Sequence, residues 1–153
     1  MKENTNLSDF GIQRILVPID FSEHSKNALR HAISYAKQFD AELLLMYVVE
    51  PTVNAADLSF GQVALPSNEK ELRQRGKTGL EDLAKKQVGK RARVRTIIRT
   101  GKPFVEIINV AREEKIDLVI IATHGHSAVE ALLFGSTTEK VVRKAHCPVL
   151  VVR

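Results

Sequence analysis

"DLVIIATHGHSAVEALLFGSTTEKVVRKAHCPVLVVR", Asp117 to Arg153, is the stretch that decides the fold. Its opening "DLVIIA" is almost wholly apolar and lacks the polar alternation of a half-wet strand, so it reads as a strand covered on both faces. "TTEKVVRKAH" reads as a helix, and "CPVLVVR" is a further apolar strand that ends the chain. Strand, helix, strand in that order implies parallel pairing through a crossover.

The same unit recurs upstream. "RILVPID" is a near-continuous apolar run from Ile15 to Ile19, ending in Asp20. "FSEHSKNALRHAISYAKQF" places Ala28, Leu29, Ala32, Ile33, Ala36 and Phe39 on one helical stripe, with Ser22 as N-cap and Glu23 in the first turn. "AELLLMYVV" is a second buried strand, closed by Glu50 and Pro51. Residues 51–67 show no periodicity and are expected to form a long loop, a candidate lid. Asn68 and Glu71 mark the next helix start, with Leu72, Leu80, Leu83 and Ala84 on one side, although Gly76 and Gly79 weaken that helix. "ARVRTIIRT" alternates at first, as an edge strand does. Gly101 then turns the chain, and Pro103 opens a helix with Phe104, Ile107, Ile108 and Ala111 inward.

The expected architecture is α/β: five strands alternating with helices, a parallel sheet with helices on both faces, and a single domain over residues 1–153 in which residues 1–12 form a flexible N-terminal arm. Ligands of such sheets bind outside the carboxyl ends of the strands, where the crossovers reverse direction. That directs attention to Asp20, to Val48 through Glu50, and to Ala122 through Gly125.

Composition narrows the function classes. The 153 residues are 44% hydrophobic and 27% charged, ordinary for a globular domain. No window approaches the ~20 apolar residues of a membrane span, and the first residues lack a signal-peptide stretch, so a cytoplasmic location is expected. The lone Cys147 rules out an internal disulfide and a CxxC pair, and it reads as a buried structural thiol. Net charge is +5, with a pI near 9.5. The densest basic cluster, "KKQVGKRARVR", has no interleaved aromatic residues to stack on bases, so a solvated helix end is favoured over a nucleic-acid groove.

The loop after "DLVIIA" carries the chemistry. Nine residues separate Gly125 from Gly135, which is followed by Ser136, Thr137, Thr138 and Glu139. Ser136 and Glu139 fit a capping box, in which each side chain meets the other's backbone amide. A helix start behind a glycine is also an anion site, since its unpaired amides and dipole favour phosphate. Either reading fits these residues. Val129, Leu132, Leu133 and Phe134 of the insert need somewhere to bury. Asp20, at the end of its strand, also fits a carboxylate capping the helix beside Ser22. His124 and His126 lack a local carboxylate or cysteine to complete a ligand set, so no metal is expected, and they read as polar or hydrogen-bonding residues. A Walker lysine, a Ser-His-Asp order and a base beside the presumed phosphate are absent from the pattern, and efficient hydrolysis is not expected. A phosphorelay receiver is disfavoured because Asp20 has no adjacent acidic partner and "DLVIIA" ends without an aspartate.

"ILVPIDFSEHSKNAL", "LLLMYVVEP", "DLVIIATHGHS" and "CPVLVVR", with the spacing of Gly125 and Gly135, resemble the universal stress protein family across nearly the whole chain. Its nucleotide-binding members carry G-x2-G-x9-G-[ST], and here Ala122 stands at the first glycine. The resemblance implies a doubly wound sheet of strand order 3-2-1-4-5, as in the adenine-nucleotide alpha hydrolase-like folds. It also implies a pocket for ATP, AMP or ADP, with or without magnesium. Pro18, Ile19 and Asp20 would face the adenosine, and Val48 would offer backbone contacts to adenine. Gly125 and Gly135 would frame the phosphates, with Ser136 and Thr137 donating to them and Thr138, Ala122 and His124 beside them. A stress-response regulator with slow hydrolysis at most is the implied function; the alternative is a nucleotide-free, dimeric interaction module. A homodimer closed by "CPVLVVR" pairing with its copy is the expected assembly.

Overall fold

The computed structural model describes residues 11–51, 66–126 and 134–153. Strand β1 spans Arg14–Pro18, and helix α1, Glu23–Phe39, follows it. Strand β2 is Glu42–Val49, and helix α2 is Pro66–Leu83, continuing into one π turn, Ala84–Val88. Strand β3 is Val94–Thr100, helix α3 is Pro103–Glu113 and strand β4 is Leu118–Ala122. Helix α4, Ser136–Lys144, and strand β5, Val149–Val152, complete the order. The strands form one sheet of order β3-β2-β1-β4-β5, and every pairing is parallel.

Strand periodicity sends alternate residues to opposite faces. Ile15, Val17, Leu43, Leu45, Leu118 and Ile120 meet Leu29, Ala32 and Ile33 of α1 and Leu80 and Leu83 of α2 on one face. Leu16, Leu44, Met46, Val119 and Ile121 meet Ile107, Val110 and Ala111 of α3 and Val141 of α4 on the other. Each fully buried aliphatic side chain contributes roughly 1.5–3 kcal/mol. Double coverage is the reason the strands read as unbroken apolar runs.

Local signals held at most element ends. Ser22 caps α1, its hydroxyl accepting from the Ser25 amide at 3.2 Å, and Pro103 sits in the first turn of α3. Helix α2 starts at Pro66, two residues before Asn68. The rest of the 51–67 loop, apart from Pro51, the insert residues Val129, Leu132 and Leu133, and the first ten residues of the N-terminal arm lie outside the described residues; Ile12 packs against the core. Two expectations need correcting. Phe39 lies at the last position of α1 and is exposed, stacked on Tyr35 with ring centroids 6.2 Å apart, outside the buried core. Phe134 is likewise exposed.

Gly76 and Gly79, poor helix formers by propensity, are where α2 meets two aromatic rings. Gly76 is buried against the ring of Tyr47, and Gly79 meets the ring of Phe21. Tertiary packing overrides the propensity cost of roughly 1 kcal/mol per glycine.

Candidate functional site

The central strands open at their carboxyl ends, and Pro18 supplies a reason. The Ile19 amide donates to the Met46 carbonyl at 2.7 Å, and the Asp117 amide to the Arg14 carbonyl at 3.0 Å. Odd-numbered residues of β1 therefore direct their backbone groups to β2, and even-numbered ones to β4. The next donor due toward β4 after Leu16 is the amide of residue 18, and proline has none. Pairing of β1 with β4 stops at Leu16–Val119.

A cavity of about 410 Å³ lies beyond that point. It is lined by Pro18, Ile19 and Asp20 at the end of β1, by Val48 and its neighbours on β2, and by Ala122, His124 and Gly125 at the end of β4. Gly135, Ser136, Thr137 and Thr138 at the start of α4 complete the wall. Every nucleotide-facing residue expected from the sequence thus borders one cavity. Met46, Tyr47, Glu50, Leu72, Pro103 and His126 also border it. Of these, Glu50, Pro103 and His126 stand within a few residues of a strand's carboxyl end, a signal legible in the sequence. Leu72 comes from α2, and no local pattern points to it.

Val48 offers a backbone edge. Because Met46 directs its carbonyl to β1, the alternation directs the amide and carbonyl of Val48 the same way, past the end of that strand. The Val49 carbonyl turns to β3 and accepts from the Gly101 amide at 2.9 Å.

Asp20 does not cap α1 itself: its carboxylate holds the capping residue Ser22 and borders the cavity as well. Oδ1 accepts from the Ser22 amide at 2.9 Å and from the Ser22 hydroxyl at 2.5 Å. Oδ2 accepts from the His126 amide at 3.2 Å, and His126 Nε2–H donates to the Asp20 carbonyl at 2.6 Å. That carbonyl faces β4, and the imidazole takes the place of a ladder partner. Burial pushes the Asp20 carboxyl up, but the Ser22 hydroxyl and amide, the Ser25 hydroxyl and the nearby His126 outweigh it and hold the group below the ordinary carboxylate range.

Gly125 is explained by the same carboxylate. A Cβ there would come closer than 3.0 Å to Asp20 Oδ2, a separation that real Cβ atoms do not adopt. Backbone conformation does not call for glycine here: among the described residues positive φ occurs at Phe21, Asp40, Lys115, Gly89 and Gly101, and not at Gly125. Ala122 is also an ordinary strand residue, paired with Val152 and buried, so its methyl costs no backbone strain.

The capping box does not form. Gly135 is the N-cap, held in extended conformation with its amide donating to the Thr123 carbonyl at 2.7 Å. Ser136 thereby becomes the first helical residue, and Glu139 falls one position too late for the box. Its carboxylate accepts from Arg143 Nε at 3.0 Å instead. Thr138 occupies the third position, and its hydroxyl donates to the Ala122 carbonyl at 2.7 Å, pinning α4 to the end of β4. The N-cap glycine supplies no side-chain hydrogen bond to this helix, and its first turn, Ser136 to Thr138, lines the cavity. The ring of His124 lies 6.3 Å from that of His24. Among the described residues no group of three His, Cys, Asp or Glu side chains is placed to hold a metal ion, and no helix is long and apolar enough to cross a membrane.

Comparison with known proteins gives a consistent picture. A profile of the universal stress protein family matches residues 11–153. Universal stress protein MJ0531 of Methanocaldococcus jannaschii is 36% identical over 141 residues, covering 92% of this chain and 82% of its own. The structure of MJ0577 from the same organism is similar with a TM-score of 0.80 at 30% identity, covering 93% and 96% of the two chains. A universal stress protein in complex with cAMP has the same fold, with a TM-score of 0.62 at 24% identity over 92% of this chain and 96% of that one.

Proposed function

The chain belongs to the universal stress protein family, and on that premise we propose that it binds an adenine nucleotide, ATP, ADP or AMP, in the cavity at the carboxyl ends of β1, β2 and β4. The observation that carries this reading is the meeting of three unlike groups on one cavity wall. The Val48 backbone suits the hydrogen-bonding edge of adenine, the Asp20 carboxylate suits a ribose hydroxyl, and the open first turn of α4 suits phosphate. The volume of about 410 Å³ falls within the range of small-molecule sites. The relative solved with cAMP indicates that this fold accommodates an adenine nucleotide.

Nucleotide occupancy serves regulation in the stress response, with slow hydrolysis at most. Asp20 is a poor general base, since its carboxylate is held anionic by Ser22 and His126. The chain acts as a homodimer closed by β5, whose outer edge has no partner strand among the described residues and whose Val149, Leu150 and Val151 are only half-buried.

One observation favours the second reading, a nucleotide-free interaction module: contact with Asp20 accounts for Gly125 without any ligand. Calorimetric titration with ATP and magnesium, beside thermal melts, separates the two. Saturable heat and a raised melting temperature support the nucleotide reading. A folded protein giving neither at millimolar ATP overturns it and leaves the module.

A further inference from the structure

The residue that follows Asp20 is backbone-strained. Phe21 has φ of 66°, in the left-handed region that bulky side chains avoid at a cost of roughly 1–3 kcal/mol. The turn it makes is what brings the Ser22 amide and hydroxyl back onto Asp20 Oδ1, at 2.9 and 2.5 Å. Something must hold Phe21 there, and the structure shows what does. Its ring packs against Tyr47, centroids 5.1 Å apart at 49°, and both rings sit under α2 where that helix carries glycine. Gly76 and Gly79, three positions apart, lie on one helical face. A Cβ on Gly79 would stand 2.7 Å from Cε1 and Cζ of Phe21, and one on Gly76 would overlap the Tyr47 ring.

We propose that Phe21, seated with Tyr47 in the Gly76–Gly79 notch of α2, is a positioning residue that aims the Asp20 carboxylate at the sugar of the bound nucleotide. The notch supplies the packing that offsets the strain of the turn, and the turn sets the carboxylate. Oδ1 is tied back to Ser22, which leaves Oδ2 as the oxygen beside Gly125 and His126 at the cavity wall. Helix α2, remote in sequence from both glycine-loop and phosphate groups, thereby controls how well the sugar is read. Tyr47 itself borders the cavity, so the notch and the site share a wall.

Gly79→Ala is the test, because the clash falls on the far edge of a ring that can shift and not on backbone, so the fold survives. The ligand half of the test rests on the nucleotide reading, and calorimetry with ATP and with 2′,3′-dideoxy-ATP, which lacks both ribose hydroxyls, carries it. Gly79→Ala weakens ATP about tenfold and the dideoxy analogue less than about threefold, the size of one lost charge-assisted hydrogen bond. In the Asp20→Asn background the same change has no further effect on ATP, and adding Phe21→Leu, which withdraws the ring tip, restores part of the affinity. The other half needs no ligand: ¹³C NMR titration of the Asp20 carboxyl in Gly79→Ala moves up toward the ordinary carboxylate value as the Ser22 contacts loosen. Equal loss for both ligands, or an undiminished loss in Asp20→Asn, overturns the proposal. If the parent binds no nucleotide, the nucleotide reading fails by itself, and an Asp20 titration unchanged by Gly79→Ala then overturns the positioning role as well.

Discussion

Adding one methyl group at Gly125 tests the centre of the site. The new Cβ of Gly125→Ala would lie within 3.0 Å of Asp20 Oδ2, and ordinary van der Waals separation requires a retreat of more than ~1 Å. The carboxylate cannot swing freely, because Oδ1 is held by the Ser22 amide and hydroxyl. The displacement therefore falls on the long bond from the His126 amide to Oδ2, 3.2 Å, and on the His126 ring contact with the Asp20 carbonyl, 2.6 Å. Losing one hydrogen bond to a charged acceptor, partly recovered by water, costs about 1–2 kcal/mol. In a chain of 153 residues that lowers the melting temperature by roughly 2–8 °C. ATP affinity falls about tenfold if Oδ2 meets the sugar. Urea melts of the parent, Gly125→Ala, Asp20→Ala and the double variant measure the coupling. Asp20→Ala removes the obstacle, so Gly125→Ala in that background costs less than about 0.5 kcal/mol. Equal cost in both backgrounds refutes the account of Gly125 as a seat for the carboxylate.

Ala122→Gly relieves no strain, since Ala122 has ordinary strand geometry, and it removes a buried methyl; urea denaturation should show a loss of about 1–2 kcal/mol, and a gain would mean that the strand is strained there. The Asp20 carboxyl titrates below its unfolded value, so its stabilisation is complete above that value, near pH ~3.9, and disappears as pH falls through the lower folded value. The stability difference between parent and Asp20→Asn, followed by urea melts from neutral pH into acid, should stay constant and then shrink; a difference that widens in acid contradicts the sign. On β5, the Thr123 amide donates to Val152 and the Val119 amide to Pro148, so Val149 and Val151 direct their amides outward. Val151→Pro deletes an outward donor and spares the ladder to β4. Light scattering should give twice the 17.1 kDa chain mass for the parent and the chain mass for the variant, and an unchanged dimer would place the interface elsewhere.

The α/β class, the strand and helix order and the neighbourhood of the cavity were legible in the sequence because each rests on short-range physics. Apolar runs such as Leu118 to Ala122 follow from coverage on both faces, and Ser22 and Pro103 mark helix starts through contacts within a turn. What tertiary structure decided involves partners far apart in the chain. The missing amide of Pro18 is visible in the sequence, but its direction toward β4 depends on sheet register. Gly135 became the cap of α4 because its amide found the Thr123 carbonyl, and that single bond moved Ser136 into the helix and left Glu139 to Arg143. Gly76, Gly79 and Gly125 read locally as helix weakness and loop freedom. Each is in fact occupied by a group from elsewhere in the chain, Tyr47, Phe21 and Asp20, because a glycine's value in packing is the space left beside it, and only the folded chain shows what fills that space.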